Sequence, residues 1–245
     1  MCIRDSHQTV QMFPTRFRAV CGLPQYRDES PANCIEELEF RVKEQGFIGC
    51  LVNPDPTEGD GTPPPGMGDA FWYPLYEKLC ELDVPAMVHS AGSCSPRESY
   101  TLKFINEESI AIVSLLESKT FERFPNLKLI MPHGGGAIPY HMGRFRSISA
   151  RRGGEYFDDK LKRLHFDTTT YDKNALELLF KTVGADRVLF ATEKPGTGSG
   201  RDPATGKDFD DLKPVIENID FLSAADRENV FSCNCMRLYS RFKTD

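Results

Sequence analysis

Leu127-Lys-Leu-Ile-Met-Pro-His133 is a short apolar run that ends in an imidazole and leads into three glycines, Gly134-Gly-Gly136. Two other stretches follow the same plan, Pro85-Ala-Met-Val-His89 and Arg187-Val-Leu-Phe-Ala-Thr-Glu193. Each has the length and the β-branched or aromatic content of a buried parallel strand, and each is followed by small residues or a glycine-rich loop. Barrels of parallel strands carry their chemistry at the strands' C-terminal ends, which predicts that two imidazoles and a carboxylate converge on one mouth. Such a trio suits a divalent metal with an acid/base partner.

Outward from these runs the chain alternates strand and helix. Residues 16–20 read as a strand, and Ser30-Pro31 supply an N-cap and a first-turn proline for a helix that runs to Gln45. Ile35, Leu38 and Val42 repeat on one face of it, Glu37 and Arg41 pair on the other, and Gly46 is the stop. Further strands are expected at 47–52, up to His89, up to His133, at 163–167 and up to Glu193. Helices are expected at 70–82, 106–118 with Asn106 as cap, 137–150, 173–183, 210–217 and 223–242. Two long Pro/Gly-rich loops, 53–68 and 194–207, interrupt the pattern.

Repeated βα units predict a parallel sheet covered by helices. Because the candidate ligands lie on successive strands, a closed (β/α)8 TIM-like barrel is favoured over a doubly wound sheet, with about six of the eight βα units present here. Residues 1–14 show no strand and read as a disordered leader. The expectation is a fragment that begins mid-barrel, with a partial barrel domain over 15–245.

Composition narrows the function classes. With 40% apolar and 27% charged residues over 245, the chain reads as one globular domain with a sizeable core. No apolar stretch approaches a bilayer-spanning length, which argues against a membrane protein. A net charge of −6 argues against a nucleic-acid surface. The eight cysteines lack C-x-x-C spacing and no secretory leader is visible, so a reducing cytoplasm is expected. Cys233-Asn-Cys235 does not supply a tetrahedral metal site by itself.

Each candidate residue has a plainer reading beside it. His89 alone reads as readily as a hydrogen-bonded core histidine. His133 is the stronger candidate, because three glycines permit close backbone approach and present N–H groups at the start of the next helix. Glu193 follows an apolar run where a carboxylate is costly unless paired or metal-bound, although Lys194 beside it offers a surface partner. Arg144 and Arg146 are candidates for gripping a substrate carboxylate, against a solvated helix face. Asn53 ends a strand before the first long loop and is a second candidate at the mouth. His7, His141 and His165 read as structural. Gly196-Thr-Gly-Ser-Gly200 lacks the following helix that a nucleotide turn requires.

The segment Met131-Pro-His-Gly-Gly-Gly-Ala-Ile-Pro-Tyr-His-Met-Gly-Arg144, with Val84-Pro-Ala-Met-Val-His89 before it and Asn234-Cys-Met-Arg-Leu-Tyr239 near the end, resembles the decarboxylase and hydratase branch of the amidohydrolase superfamily. The resemblance implies a barrel of the metal-dependent hydrolase type holding one divalent metal, often zinc. It implies that His89 is the ligand ending the fifth strand of the family barrel, His133 the acid/base or polarising histidine of the sixth, and Glu193 the acid of the eighth. Most members carry aspartate at that last position. Thr192-Glu-Lys-Pro-Gly-Thr-Gly-Ser199 is similar instead to the 4-oxalomesaconate hydratases of protocatechuate and gallate breakdown.

That resemblance implies a hydratase adding water to an unsaturated oxo-tricarboxylate, with Glu193 and His133 moving protons, His89 and Glu193 on the metal, and Arg144 and Asn53 on the substrate. A small anionic polycarboxylate is the expected partner, and a homodimer is a further implication. The family's His-x-His pair is absent from the sequence. Weak metal binding and low activity of this polypeptide alone are therefore expected. The competing readings are a nonoxidative decarboxylase of the aminocarboxymuconate-semialdehyde type and a noncatalytic barrel remnant.

Overall fold

The computed structural model describes residues 3–57, 59 and 61–242. They group into two compact units, one spanning residues up to Ile130 plus those from Met236 onward, the other Met131–Cys235.

The first unit contains α1 (Ile3–Met12), β1 (Val20–Gly22), α2 (Ile35–Glu44), β2 (Gly49–Val52), α3 (Tyr73–Leu82), β3 (Ala86–Val88), α4 (Tyr100–Glu117), α5 (Thr120–Arg123) and β4 (Leu129–Met131). Its strands pair in parallel with their neighbours in sequence: Val20 lies opposite Gly49, Cys50 opposite Ala86, and Ala86 opposite Leu129. This in-order winding is that of a barrel, whereas a doubly wound sheet reverses strand order at a switch point. The helices bury the faces that periodicity marks, with Leu38 and Val42 from α2, Leu75, Tyr76 and Leu79 from α3, and Ala111, Ile112 and Leu115 from α4. Each such large side chain contributes about 1.5–3 kcal/mol. Ser30 caps the short 3-10 turn before α2, its hydroxyl accepting from the Ala32 amide at 3.2 Å.

The second unit continues with α6 (Met142–Arg152), α7 (Phe157–Leu161), β5 (His165–Asp167), α8 (Lys173–Val183), β6 (Val188–Leu189), α9 (Lys213–Glu217), α10 (Ala224–Glu228) and the start of α11 (Asn234–Leu238). Strands β5 and β6 are parallel, Phe166 facing Val188. Asp172 caps α8, accepting from the Ala175 amide at 3.0 Å, and Leu176, Leu179, Phe180 and Val183 form its buried stripe. Asn234 is buried and donates its amide to the carbonyls of Ala185 and Val188, both at 2.7 Å, which fixes the entry into β6.

Several boundaries differ from expectation. The leader segment forms helix α1, and the His7 ring stacks on Phe47 at 6.4 Å and 14°. Strand β1 begins at Val20 rather than at residue 16, because Arg16 and Phe17 are exposed and burial starts at Ala19. Helix α4 starts at Tyr100, so Asn106 is interior to it, and the Asn106 amide donates to Glu98 Oε1 at 2.7 Å instead of capping. The expected 223–242 helix breaks at a π turn, Asn229–Cys233, where the Val230 carbonyl accepts from the Phe190 amide at 3.0 Å. The described cysteines are all free thiols. Burial pushes Cys21 up to about 12 and Cys34 up to about 11, so both act as packing groups. No helix among the described residues is long and apolar enough to cross a membrane.

Candidate active site

His133 follows β4 on a tight turn in which it and the three glycines all adopt positive φ. A Cβ on Gly134 would lie 2.5 Å from Thr170 Cγ2, so only glycine fits there. Asp167, at the end of β5, anchors this turn. Its Oδ1 accepts from the Gly134 amide at 3.3 Å, the Thr169 amide at 3.1 Å and the Thr169 hydroxyl at 2.7 Å, while Thr169 Oγ1 accepts from the His133 amide at 3.1 Å. The His133 imidazole is thereby held with Nε2 4.0 Å from Glu193 Oε2.

Glu193 lies four residues beyond β6, partly buried and at φ 57°. The Tyr171 hydroxyl donates to its Oε2. Desolvation raises the Glu193 carboxyl above the usual carboxylate range; His133 opposes that shift, and the negative charges of Asp167 and Asp210 add to it. Lys194 does not pair with Glu193: its ammonium reaches Asp208 at 2.6 Å and Asp210 at 3.4 Å. The surface-pair reading of Glu193 therefore fails. The Gly196–Gly200 stretch forms a single 3-10 turn with no helix after it, as expected.

In the first unit His89 follows β3 directly. Its Nδ1 lies 2.8 Å from the Ser90 carbonyl, which can only accept, so Nδ1 carries the proton and Nε2 carries the ligand lone pair in the neutral ring. Phe104 packs edge-on at 5.6 Å. Asn53, after β2, exchanges backbone hydrogen bonds with the Gln25 amide at 2.8 Å, and its Oδ1 accepts from the Asp55 and Ala91 amides at 3.2 and 3.4 Å. Its Nδ2 has no partner among the described residues. Arg144 is exposed on α6 without an ion pair among the described residues, whereas Arg146 clamps Asp158 through bonds of 2.6–3.0 Å.

These donors fit a divalent cation. Imidazole nitrogen and carboxylate oxygen bind zinc or manganese at about 2.1 Å, so ligand atoms 4.0 Å apart, as in His133 and Glu193, can reach one ion.

Residues 1–241 match the profile of the amidohydrolase family. The chain belongs to that family. Among other amidohydrolases, it is 42% identical over 236 residues to the 2-keto-4-carboxy-3-hexenedioate hydratase of Sphingobium sp., covering 96% of this chain and 69% of that protein. A gamma-resorcylate decarboxylase of Polaromonas sp. is 29% identical over 250 residues, 92% of this chain and 71% of the relative. The crystal structure of 4-oxalomesaconate hydratase from Rhodopseudomonas palustris superposes with a TM-score of 0.89 at 37% identity, covering 98% of this chain and 70% of that one. A dihydroxybenzoic acid decarboxylase from Polaromonas sp., crystallised with manganese and 2-nitroresorcinol, superposes with a TM-score of 0.78 at 26% identity, with coverages of 97% and 74%. The fold is the TIM-like amidohydrolase barrel, represented here by six strands among the described residues.

Asp167, Thr169 and Tyr171, which hydrogen-bond the His133 turn and Glu193, are the neighbours that sequence reasoning passed over. Asp167 carried a usable signal, since Arg163-Leu-His-Phe-Asp167 also ends an apolar run in a carboxylate. Tyr171 carried none, because its partner is 22 positions away.

Proposed function

We propose that this protein is a metal-dependent hydro-lyase that adds water to an unsaturated oxo-tricarboxylate such as 4-oxalomesaconate. The observation that carries this reading is the 42% identity to a hydratase over 96% of the chain, against 29% for a decarboxylase relative. The site chemistry supports it. Hydrating a polarised C=C bond needs a proton delivered to carbon, a base for the incoming water and cationic grips for carboxylates. Glu193, its carboxyl raised by desolvation, is suited to deliver and recover that proton. His133 stabilises the developing enolate oxygen, and Arg144 and the Asn53 amide hold the substrate's polar ends.

His89 and Glu193 are the residues assigned to hold the cation, for which zinc is proposed. When bound, it supplies Lewis-acid polarisation. The free thiols support a reducing cytoplasm as the working compartment. Incubation with 4-oxalomesaconate and added zinc, followed by NMR, tests the reaction: slow formation of hydrated product is expected of this polypeptide alone, and carbon dioxide release without it overturns the reading. Glu193→Gln is expected to lower turnover by about 10²–10⁴-fold while substrate still binds.

A further inference from the structure

Tyr171 has φ 57°, a backbone conformation that a tyrosine rarely adopts, and its hydroxyl has no partner among the described residues except Glu193 Oε2. The ring is backed by the glycine loop after Glu193. A Cβ on Gly198 would lie 2.6 Å from Tyr171 Cε1, 3.0 Å from Cζ and 2.7 Å from Asp210 Cβ. The loop is itself pinned: the Asp210 amide donates to the Gly198 carbonyl at 2.9 Å, and Lys194 reaches the Asp210 carboxylate at 3.4 Å. Packing alone does not require the hydroxyl, since phenylalanine would fill the same space. What the hydroxyl adds is a fixed direction for a carboxylate on a flexible side chain.

We infer that Tyr171 is a positioning residue for Glu193: the glycine loop sets the ring, and the hydroxyl holds Oε2 and so fixes the direction in which the carboxylate faces cation and substrate. Oε1 accepts no hydrogen bond among the described residues. The inference rests on the proposed metal-dependent reading of Glu193. Hydrogen-bond partners that orient a metal ligand typically contribute about 10–100-fold to metal affinity or activity.

The test uses the full chain and Tyr171→Phe, with Mn²⁺ titrated into the millimolar range and free ion read by electron paramagnetic resonance. Mn²⁺ affinity is expected to fall by roughly 10-fold or more and kcat by about 10–100-fold, with KM within about twofold and the melting temperature unchanged. Gly198→Ala, which keeps the hydroxyl but displaces the ring, is expected to act in the same direction. Its effect should combine with Tyr171→Phe less than additively. Equal Mn²⁺ affinity and kcat in parent and Tyr171→Phe overturn the inference, as does absence of Mn²⁺ binding by the parent. If Tyr171→Phe does not fold, unchanged affinity in Gly198→Ala overturns it instead. A parent that binds Mn²⁺ but hydrates nothing refutes the hydratase reading alone, and Tyr171 is then judged on affinity.

Discussion

Replacing Glu107 by glutamine is expected to stabilise this protein above neutral pH and to change little in acid. Glu107 sits on α4 among carboxylates. Burial is the largest cause raising its carboxyl to about 7, the negative charges of Asp55 and Glu98 add to it, and the Ser93 hydroxyl opposes. That hydroxyl has one proton and donates it to Glu98 Oε2 at 2.7 Å, so at 3.4 Å from Glu107 it offers the charged form little support. The folded value lies above the ordinary 4.5, so folding favours the neutral acid. Its contribution is fully present below pH 4.5 and is lost as pH rises through 7. The gap corresponds to roughly 3 kcal/mol, and solvent screening at this half-open site reduces it to about 1–2 kcal/mol. Urea unfolding of parent and Glu107→Gln at pH 5 and pH 8 measures this. The variant should be more stable by about 1–2 kcal/mol at pH 8, with a melting temperature raised by about 2–8 °C, and nearly equal to the parent at pH 5. A stability difference independent of pH between 5 and 8 would refute the reasoning.

Arg144→Ala should raise KM for a tricarboxylate substrate by about 10-fold or more with kcat little changed, whereas Arg146→Ala, which breaks only the Asp158 clamp, should leave KM alone; steady-state kinetics separate the two. Asn234→Ala removes two hydrogen bonds, to the Ala185 and Val188 carbonyls, and should cost about 1–3 kcal/mol in urea unfolding. Asp167→Ala removes the acceptor of three hydrogen bonds under the His133 turn, and should lower both the melting temperature and kcat while leaving far-ultraviolet circular dichroism intact.

Expectation and structure agree wherever a local signal is tied to burial. Strands β3 and β4 and helix α8 fall where apolar periodicity puts them, because those side chains are the core, whereas β6 stops at Leu189, four residues short of the expected end at Glu193. Disagreement gathers where tertiary contacts override local pattern. Arg16 and Phe17 look like strand but face solvent, Asn106 looks like a cap but serves Glu98, and the last helix opens at Val230 to satisfy the Phe190 amide.

The candidate site divides along the same line, and the division is physical. His89 and His133 are legible as candidates because each closely follows a buried strand, and Glu193 because the apolar run continues past β6 to reach it. The groups that aim them were not, because aiming is done across the sequence: Asp167 reaches the Gly134 amide 33 positions away, and Tyr171 reaches Glu193 across 22. Lys194 shows the cost of reasoning only from neighbours. It adjoins Glu193 in sequence and looks like its partner, yet its charge is spent on Asp208 and Asp210, which fastens the loop instead. Glu193 is thus left beside an imidazole and a phenol rather than an ammonium. Desolvation is the largest cause raising that carboxyl, Asp167 and Asp210 add to it, and the His133 imidazole is the group that opposes it.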